Sequence, residues 1–391
     1  MIKYLSRRAL SSLIALFLFL TFMFFVTEAM IPGDFTTQFS LTLDQEARDE
    51  LADDLGITQP LWQRYLGWMS GVIRGNLGMS FDGDPVVDIL KTFIPFTLLV
   101  FFTGTVIAFL FGQWLGKVVA WRKPDFWSGA ASVSAILLYT AFPPWLAFLV
   151  SFFLTRGLQL SHSPYRTGSA SDFNRGIWRD SPFTPQTIML YIVFTFLAVW
   201  LILTIVNKGL HKSRRQMPGL LWAFTFIAGV AGIWYSLGII PYVMNVISAA
   251  ILPILAYVLL SFGETMLIMR TSMMDTIKDD YISTARAKGL PDRLVRDKHA
   301  ARNALLPVFS RLIVGLPYLL TGLVIIEDVL NWPGVSSALF NALYQQDMPV
   351  VMGALLVVGV FSAITRLILD VLYAYLDPRI RYGTGRLGQH G

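Results

Sequence analysis

The side chains best suited to chemistry in this 391-residue chain are its histidines and carboxylates, and their spacing argues against catalysis. The four histidines are too scattered for a metal site: His162, His211, His299 and His390. The chain has no cysteine and neither an H-E-x-x-H nor a G-x-S-x-G pattern, so the usual nucleophiles and zinc ligands are missing. The Asp82–Asp84 run predicts a turn. We therefore expect no catalytic residues and no metal site.

A nucleotide-binding motif is also absent from the sequence. A phosphate-binding loop needs the pattern G-x-x-x-x-G-K-[ST], and the only Gly-Lys pair, Gly116–Lys117, is followed by Val118. We expect this chain to bind no cofactor, so that any ATP chemistry, with its magnesium, belongs to a partner.

Several polar residues lie within long apolar stretches, where a charge is expensive and usually faces a cavity or a partner. Glu264 is a candidate for lining a pathway across the membrane, with a structural ion pair to nearby Arg270 as the alternative. Arg366 and Asp370 are four residues apart, the spacing of an intrahelical ion pair. Two further residues complete the pathway candidates: Asn245 and Glu327, the second of which also suits an interface turn.

The composition places these residues in a membrane protein. The chain is 55% hydrophobic and 14% charged, with a mean hydropathy of +0.59, whereas soluble domains carry about 25% charged residues. The net charge of +6 would suggest nucleic acid for a soluble protein. Here basic residues in cytoplasmic loops explain it, so we expect membrane lipid and no nucleic acid as a partner.

Apolar runs of about 20 residues, the length that crosses a bilayer, predict eight spans. They cover residues 9–30, 95–120, 129–154, 188–206, 218–240, 244–269, 308–327 and 349–376. The weakest break is the one near Pro241 and Asn245. The first run is long enough to be a retained span rather than a cleaved signal. With the amino terminus inside, inner segments hold twenty Lys and Arg residues against eight outside, which predicts that both termini are cytoplasmic.

These boundaries divide the chain into five regions. They are 1–30, a span with a basic start; 31–94, an extracytoplasmic helical region; 95–154, two spans; 155–243, an external loop and two spans; and 244–391, the last spans with a cytoplasmic loop at 270–307 and a cytoplasmic tail. Four prolines inside spans are expected to bend them: Pro143, Pro144, Pro253 and Pro317.

The extracytoplasmic region 31–94 carries helix signals of its own. Thr42 with Gln45 suggests a capping box, and Gly56 suggests the end of that helix. Residues 61–73 have one apolar face, which predicts an amphipathic helix. That helix either lies on the outer membrane surface or packs against the spans, and the pattern favours neither.

The cytoplasmic loop 270–307 is the most informative segment. Its charge excludes it from the hydrocarbon, yet Ile282, Ala285 and Leu290 provide apolar positions. Gly289 can adopt the left-handed conformation that ends a helix, and Pro291 suits the first turn of the next. We therefore predict a helix–turn–helix whose apolar face forms the centre of a partner contact and whose basic residues form its rim.

This loop resembles the coupling loop of binding-protein-dependent ABC importer permeases, specifically those of the oligopeptide, dipeptide and nickel family. Motifs similar to that family run along almost the whole chain in the family's order. They are AMIPGD at Ala29–Asp34, LGITQPLWQRYLGW at Leu55–Trp68, GNLGMSF at Gly75–Phe81, IIEDVLNWPGVSSALFNAL at Ile325–Leu343, QDMPVVMGAL at Gln346–Leu355 and DVLYAYLDPRIRY at Asp370–Tyr382.

The resemblance implies an all-α polytopic membrane protein with the fold of a type I ABC importer transmembrane domain, located in the cytoplasmic membrane. It implies a non-enzymatic permease that moves peptides by alternating access. Its implied partners are a second homologous permease, two ATPase subunits and an extracytoplasmic solute-binding protein. The implied ATPase-coupling residues are Asp280, Tyr281, Ala285, Ala287, Lys288, Gly289, His299, Arg302 and Asn303.

The chain departs from the family pattern in two respects. Where the general pattern begins Glu-Ala-Ala, this loop has Ser283, Thr284 and Ala285, and it has Arg302 where many permeases have proline. The peptide subgroup resembled here usually has six spans, so residues 188–240 predict two extra ones.

Three alternative functions stay open. They are an ion-coupled secondary transporter, a membrane scaffold, and an ABC importer of nickel chelates or oligosaccharides.

Overall fold

The computed structural model describes residues 2–30, 35–122, 125–154, 176–179, 181–212 and 219–376. Over these residues the regular structure is helical, apart from one isolated bridge between Met79 and Pro85. The helices are α1 (Ile2–Met30), α2 (Gln45–Asp54), α3 (Leu61–Ile73), α4 (Val86–Trp121), α5 (Phe126–Thr140), α6 (Pro143–Phe152), α7 (Pro185–Lys212), α8 (Gly219–Ser236), α9 (Ile240–Thr276), α10 (Asp280–Ala287), α11 (Asp292–Leu294), α12 (Ala301–Val329), α13 (Val335–Tyr344) and α14 (Met348–Leu376).

Five helices in the described parts of the chain are long and apolar enough to cross a membrane: α1, α4, α7, α9 and α14. The pair α5 and α6 adds a sixth if it is one broken span. The apolar stretch of α8 is shorter, Leu221–Ser236, and α12 is not among the five. The all-helical polytopic architecture is therefore confirmed, whereas the count of eight spans and the side of each terminus stay predictions.

The predicted span 129–154 is broken in two. The axes of α5 and α6 differ by 112°, and the break falls at Ala141 and Phe142, immediately before Pro143 and Pro144. A proline ring pushes the preceding residue out of the helical region, and Phe142 accordingly has ψ 117°. The bend expected at these prolines is confirmed.

The two longest helices, α4 and α9, pack against each other at the centre of the fold. Gly104, Gly112 and Gly116 lie on the contact face of α4. A Cβ atom at these positions would come within 2.4–2.8 Å of atoms of α9. Small residues of this kind let two helix backbones approach closely inside a membrane. Thr105 Oγ1 and Tyr257 OH are 2.9 Å apart and add a hydrogen bond across the same interface.

The predicted extra pair, α7 and α8, forms a hairpin beside this centre. The indole N–H of Trp234 donates to Thr195 Oγ1 at 3.0 Å, which ties the two helices together. The break between α8 and α9 lies at Leu237–Ile239, where Gly238 has φ +65°. The expected break near Pro241 and Asn245 is wrong, because Pro241 is tolerated within the first turn of α9.

Helix α2 begins at Gln45, and its N-cap is Asp44 rather than the predicted Thr42. The Asp44 side chain accepts from the backbone N–H of Ala47 at 3.0 Å, so Asp44 takes the cap that Thr42 was expected to provide. Gly56 has φ +68° and follows the helix as predicted.

The amphipathic helix α3 packs against the spans. Tyr65 and Met69 are buried against Leu20 and Phe24 of α1, and Thr21 Oγ1 lies 2.8 Å from Tyr65 OH. On its other face Trp62 is 61% exposed. One side of α3 therefore packs within the fold, while the other leaves Trp62 exposed, an aromatic residue of the kind that is enriched at membrane–water interfaces.

Candidate functional site

The loop 270–307 folds as a short helical hairpin, which confirms the predicted helix–turn–helix. After α10, Gly289 has φ +73° and its N–H donates to the carbonyl of Arg286 at 2.9 Å. Pro291 precedes α11 as the N-cap residue, with ψ 140°, instead of occupying the first turn. The chain then passes through a π-helical segment, Val295–Ala300, into α12.

The apolar face of this hairpin is covered by the chain's own spans. Ile282 is fully buried and Ala285 is 6% exposed, in a cluster that includes Phe109 of α4 and Met269 and Met273 of α9. The prediction that this face forms the centre of a partner contact is therefore wrong for Ala285. The carboxyl-terminal parts of α4 and α9 reach the hairpin and remove its apolar side chains from water.

The opposite edge of the hairpin is free of such cover in the described structure. It contains most of the residues named from the sequence. Those exposed are Asp280, Tyr281, Ala287, Lys288, Gly289, Arg302 and Asn303, while His299 is half-buried. Asn303 Nδ2 donates to Tyr281 OH at 2.9 Å, a contact that joins α10 to the start of α12.

Charged contacts that the sequence did not reveal fix the hairpin to α4. Asp297, in the π-helical segment, accepts from Arg296 Nε at 3.0 Å and Nη2 at 2.8 Å. Lys117 Nζ of α4 lies 3.7 Å from Asp297 Oδ1. The Arg296 hydrogen bonds, with Lys117 adding its positive charge, hold the pKa of Asp297 below its ordinary value. Across the hairpin, the Arg286 guanidinium lies 5.0 Å from the ring centre of Trp121, a cation–π contact.

A polar cleft between α4, α9 and α12 contains Glu264. Arg311 Nε donates to Glu264 Oε1 at 2.7 Å, so the partner of Glu264 is Arg311 and the predicted pair with Arg270 is wrong. The Glu264 side chain is 20% exposed and the Arg311 side chain 54%. The cleft has a volume of about 10 Å³ and includes Thr105, Ser261 and Thr265 in its wall. That volume is about the least that one water requires.

The other two pathway candidates are used inside the fold. Asn245 Oδ1 accepts from the indole N–H of Trp178 at 2.9 Å. Glu327 is fully buried, and its Oε2 accepts from the backbone N–H of Ser336 at 3.4 Å and from the Ser336 hydroxyl. Glu327 also packs so closely on Gly334 that a Cβ there would overlap the carboxylate. Neither position fits the expected lining of a pathway, and Glu327 fits the alternative of a turn.

Two further sequence predictions were a turn at Asp82–Asp84 and an ion pair between Arg366 and Asp370. The Asp82–Asp84 turn is confirmed: Gly83 has φ +94°, and Ser80 N–H donates to the Asp84 carbonyl at 2.7 Å. The predicted pair of Arg366 with Asp370 involves a side chain outside the described residues.

The fold and this hairpin define a class of protein. The chain is a polytopic α-helical membrane protein that carries a polar-edged hairpin packed on the ends of its own long helices.

The sequence profile described as binding-protein-dependent transport system inner membrane component matches residues 165–382. The profile described as the N-terminal part of the membrane component of such systems matches residues 1–100. The chain therefore belongs to the family of binding-protein-dependent transport system inner membrane components, the permease subunits of ABC importers. The resemblance inferred from its motifs is confirmed.

Similar proteins match over nearly their whole length. A putative peptide permease protein of Brucella suis is 29% identical over 386 residues, covering 97% of this chain and 99% of that protein. The oligopeptide transport system permease protein of Bacillus subtilis is 27% identical, covering 98% and 100%. The dipeptide transport system permease protein of Escherichia coli K12 is 26% identical, covering 98% and 99%.

Proposed function

We propose that this chain is one of two permease subunits in an ATP-driven importer of di- and oligopeptides, working by alternating access in the cytoplasmic membrane with both termini inside. The observation that carries this proposal is the hairpin, whose apolar face is buried in the chain and whose polar edge is free. Support for peptides comes from relatives named as dipeptide or oligopeptide permeases over the full length of the chain.

The hairpin is the proposed docking element for an ATPase subunit. A partner that binds Asp280, Lys288 and Arg302 would displace α10. The buried contacts of Ile282 would pass that displacement to α4 and α9. The contact of Asp297 with Lys117 adds a second link to α4. A small displacement of the hairpin would thus move the hairpin and the spans packed on it together, as one rigid body.

Four partners complete the proposed transporter. They are a second homologous permease, two subunits that bind and hydrolyse ATP with magnesium, and an extracytoplasmic solute-binding protein. Catalysis belongs to the ATPase subunits, so this chain binds no nucleotide and performs no reaction of its own. Glu264 is the polar residue best suited to the pathway, because its cleft lies between the helices that the hairpin would move.

Purification from detergent-solubilised membranes, followed by reconstitution into liposomes, tests the proposal. The expected result is that two ATPase subunits and a second permease co-purify with the chain, and that uptake requires both ATP and the binding protein. Competition among peptides, nickel chelates and oligosaccharides identifies the solute. Uptake that follows an ion gradient without ATP would favour the secondary transporter, and saturation by a sugar or chelate alone would exclude peptides.

A further inference from the structure

The arginine of the Glu264 cleft has bonding capacity left over. Its contact to Glu264 uses Nε alone, and Tyr139 of α5 is a further hydrogen-bond partner of the guanidinium. More than half of the Arg311 side chain is exposed, against a fifth of Glu264. Because a guanidinium has five N–H donors, these two contacts leave donors on both terminal amino groups.

The pair lies near the cytoplasmic end of the spans. At 1.5 Å per residue, Glu264 is about 36 Å along α9 from its outer end, and Arg311 is about 27 Å along α12 from its outer end. The hydrocarbon core is about 30 Å thick. An exposed arginine at this depth, between helices attached to the hairpin, is placed where a solute leaves the membrane.

We propose that Arg311 binds the carboxylate of the transported solute and that Glu264 orients it. The inference rests on the proposed function, since every peptide with an unblocked carboxyl end carries a terminal carboxylate. The two terminal amino groups of a guanidinium match a carboxylate in a two-point contact. Gly315 leaves the Arg311 side of the cleft without a side chain of its own, since a Cβ there would stand 3.9 Å from Glu264 Oε2.

The test compares two forms of one labelled tripeptide, with a free terminal carboxylate or as the terminal amide, in the complete reconstituted transporter. Arg311→Gln should lower uptake of the free acid about 10-fold or more, the loss of one charge-assisted contact, and leave uptake of the amide nearly unchanged. Arg311→Lys should fall between, because lysine keeps the charge but loses the fork. The binding protein's own preference cancels when each variant is compared with wild type on the same peptide.

Arg366→Gln is the matched control, since Arg366 is also an exposed arginine of a spanning helix, and it should not separate the two peptides. Equal loss of both peptides in Arg311→Gln, or no loss, overturns the inference.

Should Arg311→Gln fail to assemble, Arg311→Lys carries the test, because it keeps the charge that pairs with Glu264. A selective loss of the free acid supports the inference, and an unselective one overturns it. If the wild-type transporter carries neither form of any peptide, the proposed function itself fails and this inference falls with it. Peptide uptake without acid selectivity in the variants removes only this inference.

Discussion

Single residues in this chain act mainly by the space and charge that they leave to a neighbouring helix. Gly112 leaves no room for a side chain because the carbonyl of Phe262 and the Cβ of Thr265 stand where its Cβ would lie, at 2.7 and 2.8 Å. Glu264 and Arg311 are far apart in sequence, and only the packing of α9 against α12 makes them partners.

Gly112→Val should destabilise the chain by about 1–3 kcal/mol, because overpacking forces two central helices apart. Thermal unfolding in detergent measures the effect as a lower midpoint. Gly129→Ala is the matched control, since a Cβ at Gly129 meets no other atom within 4 Å. Equal midpoints for the Gly112 variant and wild type would contradict the close approach of α4 and α9.

Asp347, immediately before α14, attaches the loop that contains Ser80 and Phe81 to the start of that helix. Its Oδ2 accepts from Ser80 Oγ at 2.5 Å and from the Phe81 N–H at 3.3 Å. Burial raises the pKa of the Asp347 carboxyl above 3.8, although the Ser80 hydrogen bond opposes that shift. The folded state therefore holds the proton more tightly than the unfolded state, and this group's contribution to stability falls as pH rises from about 3.8 through the folded pKa.

Asp347→Asn should remove that part of the pH dependence. Limited proteolysis of the loop that contains Ser80, between pH 4 and neutral pH, measures it: wild type should become more resistant on acidification than the variant does. Asp84→Asn, at an exposed position of the same turn, should keep the wild-type profile. A pH profile of Asp347→Asn identical to wild type would show that this carboxyl does not titrate in the range.

At the scale of elements, the hairpin depends on one backbone conformation. Gly289 has φ +73° and a Cβ there would meet open space, so a substitution acts through the backbone alone. The hairpin is held in place by the buried apolar cluster around Ile282 and by the contact of Asp297 with Lys117 of α4.

Gly289→Val should separate ATP hydrolysis from transport while the protein still assembles. A β-branched residue strongly resists the left-handed region, so the turn must shift and the exposed edge moves with it. ATPase rate and peptide uptake, measured on the same proteoliposomes, give the ratio of the two. Asparagine tolerates this conformation, so Gly289→Asn should keep ATP hydrolysis coupled to transport. Normal uptake by Gly289→Val would count against the proposed docking role of the hairpin.

At the scale of the whole molecule, the sidedness of the spans determines whether the hairpin can meet an ATPase. The native chain contains no cysteine, so single cysteines can be introduced without removing any background. Both Lys288, on the hairpin, and Arg74, after α3, are exposed.

Lys288→Cys should react with a membrane-impermeant maleimide only when the cytoplasmic side is open, and Arg74→Cys only from the outside. Intact cells and inside-out vesicles provide the two conditions, and permeabilised membranes control for reactivity. Labelling of Lys288→Cys in intact cells would reverse the topology and remove the importer assignment.

The sequence by itself determined the membrane class, the family and the helical hairpin, because these depend on apolar run length, motif order and the local preferences of Gly289 and Pro291. The same holds for the bend at Pro143. Such features follow from covalent geometry and the bilayer's thickness, which act on residues close together in the chain.

Only the tertiary structure decided which side chains meet. The apolar face of the hairpin fits a partner or the chain's own helices equally well by pattern, and the length of α4 and α9 decides for the latter. Likewise Glu264 pairs with Arg311 rather than Arg270, and Glu327 is enclosed by the turn around Gly334. The physical reason is that a helix presents its residues to several neighbours at once, and the packing of those neighbours, unlike helix formation, is set by contacts between segments distant in sequence.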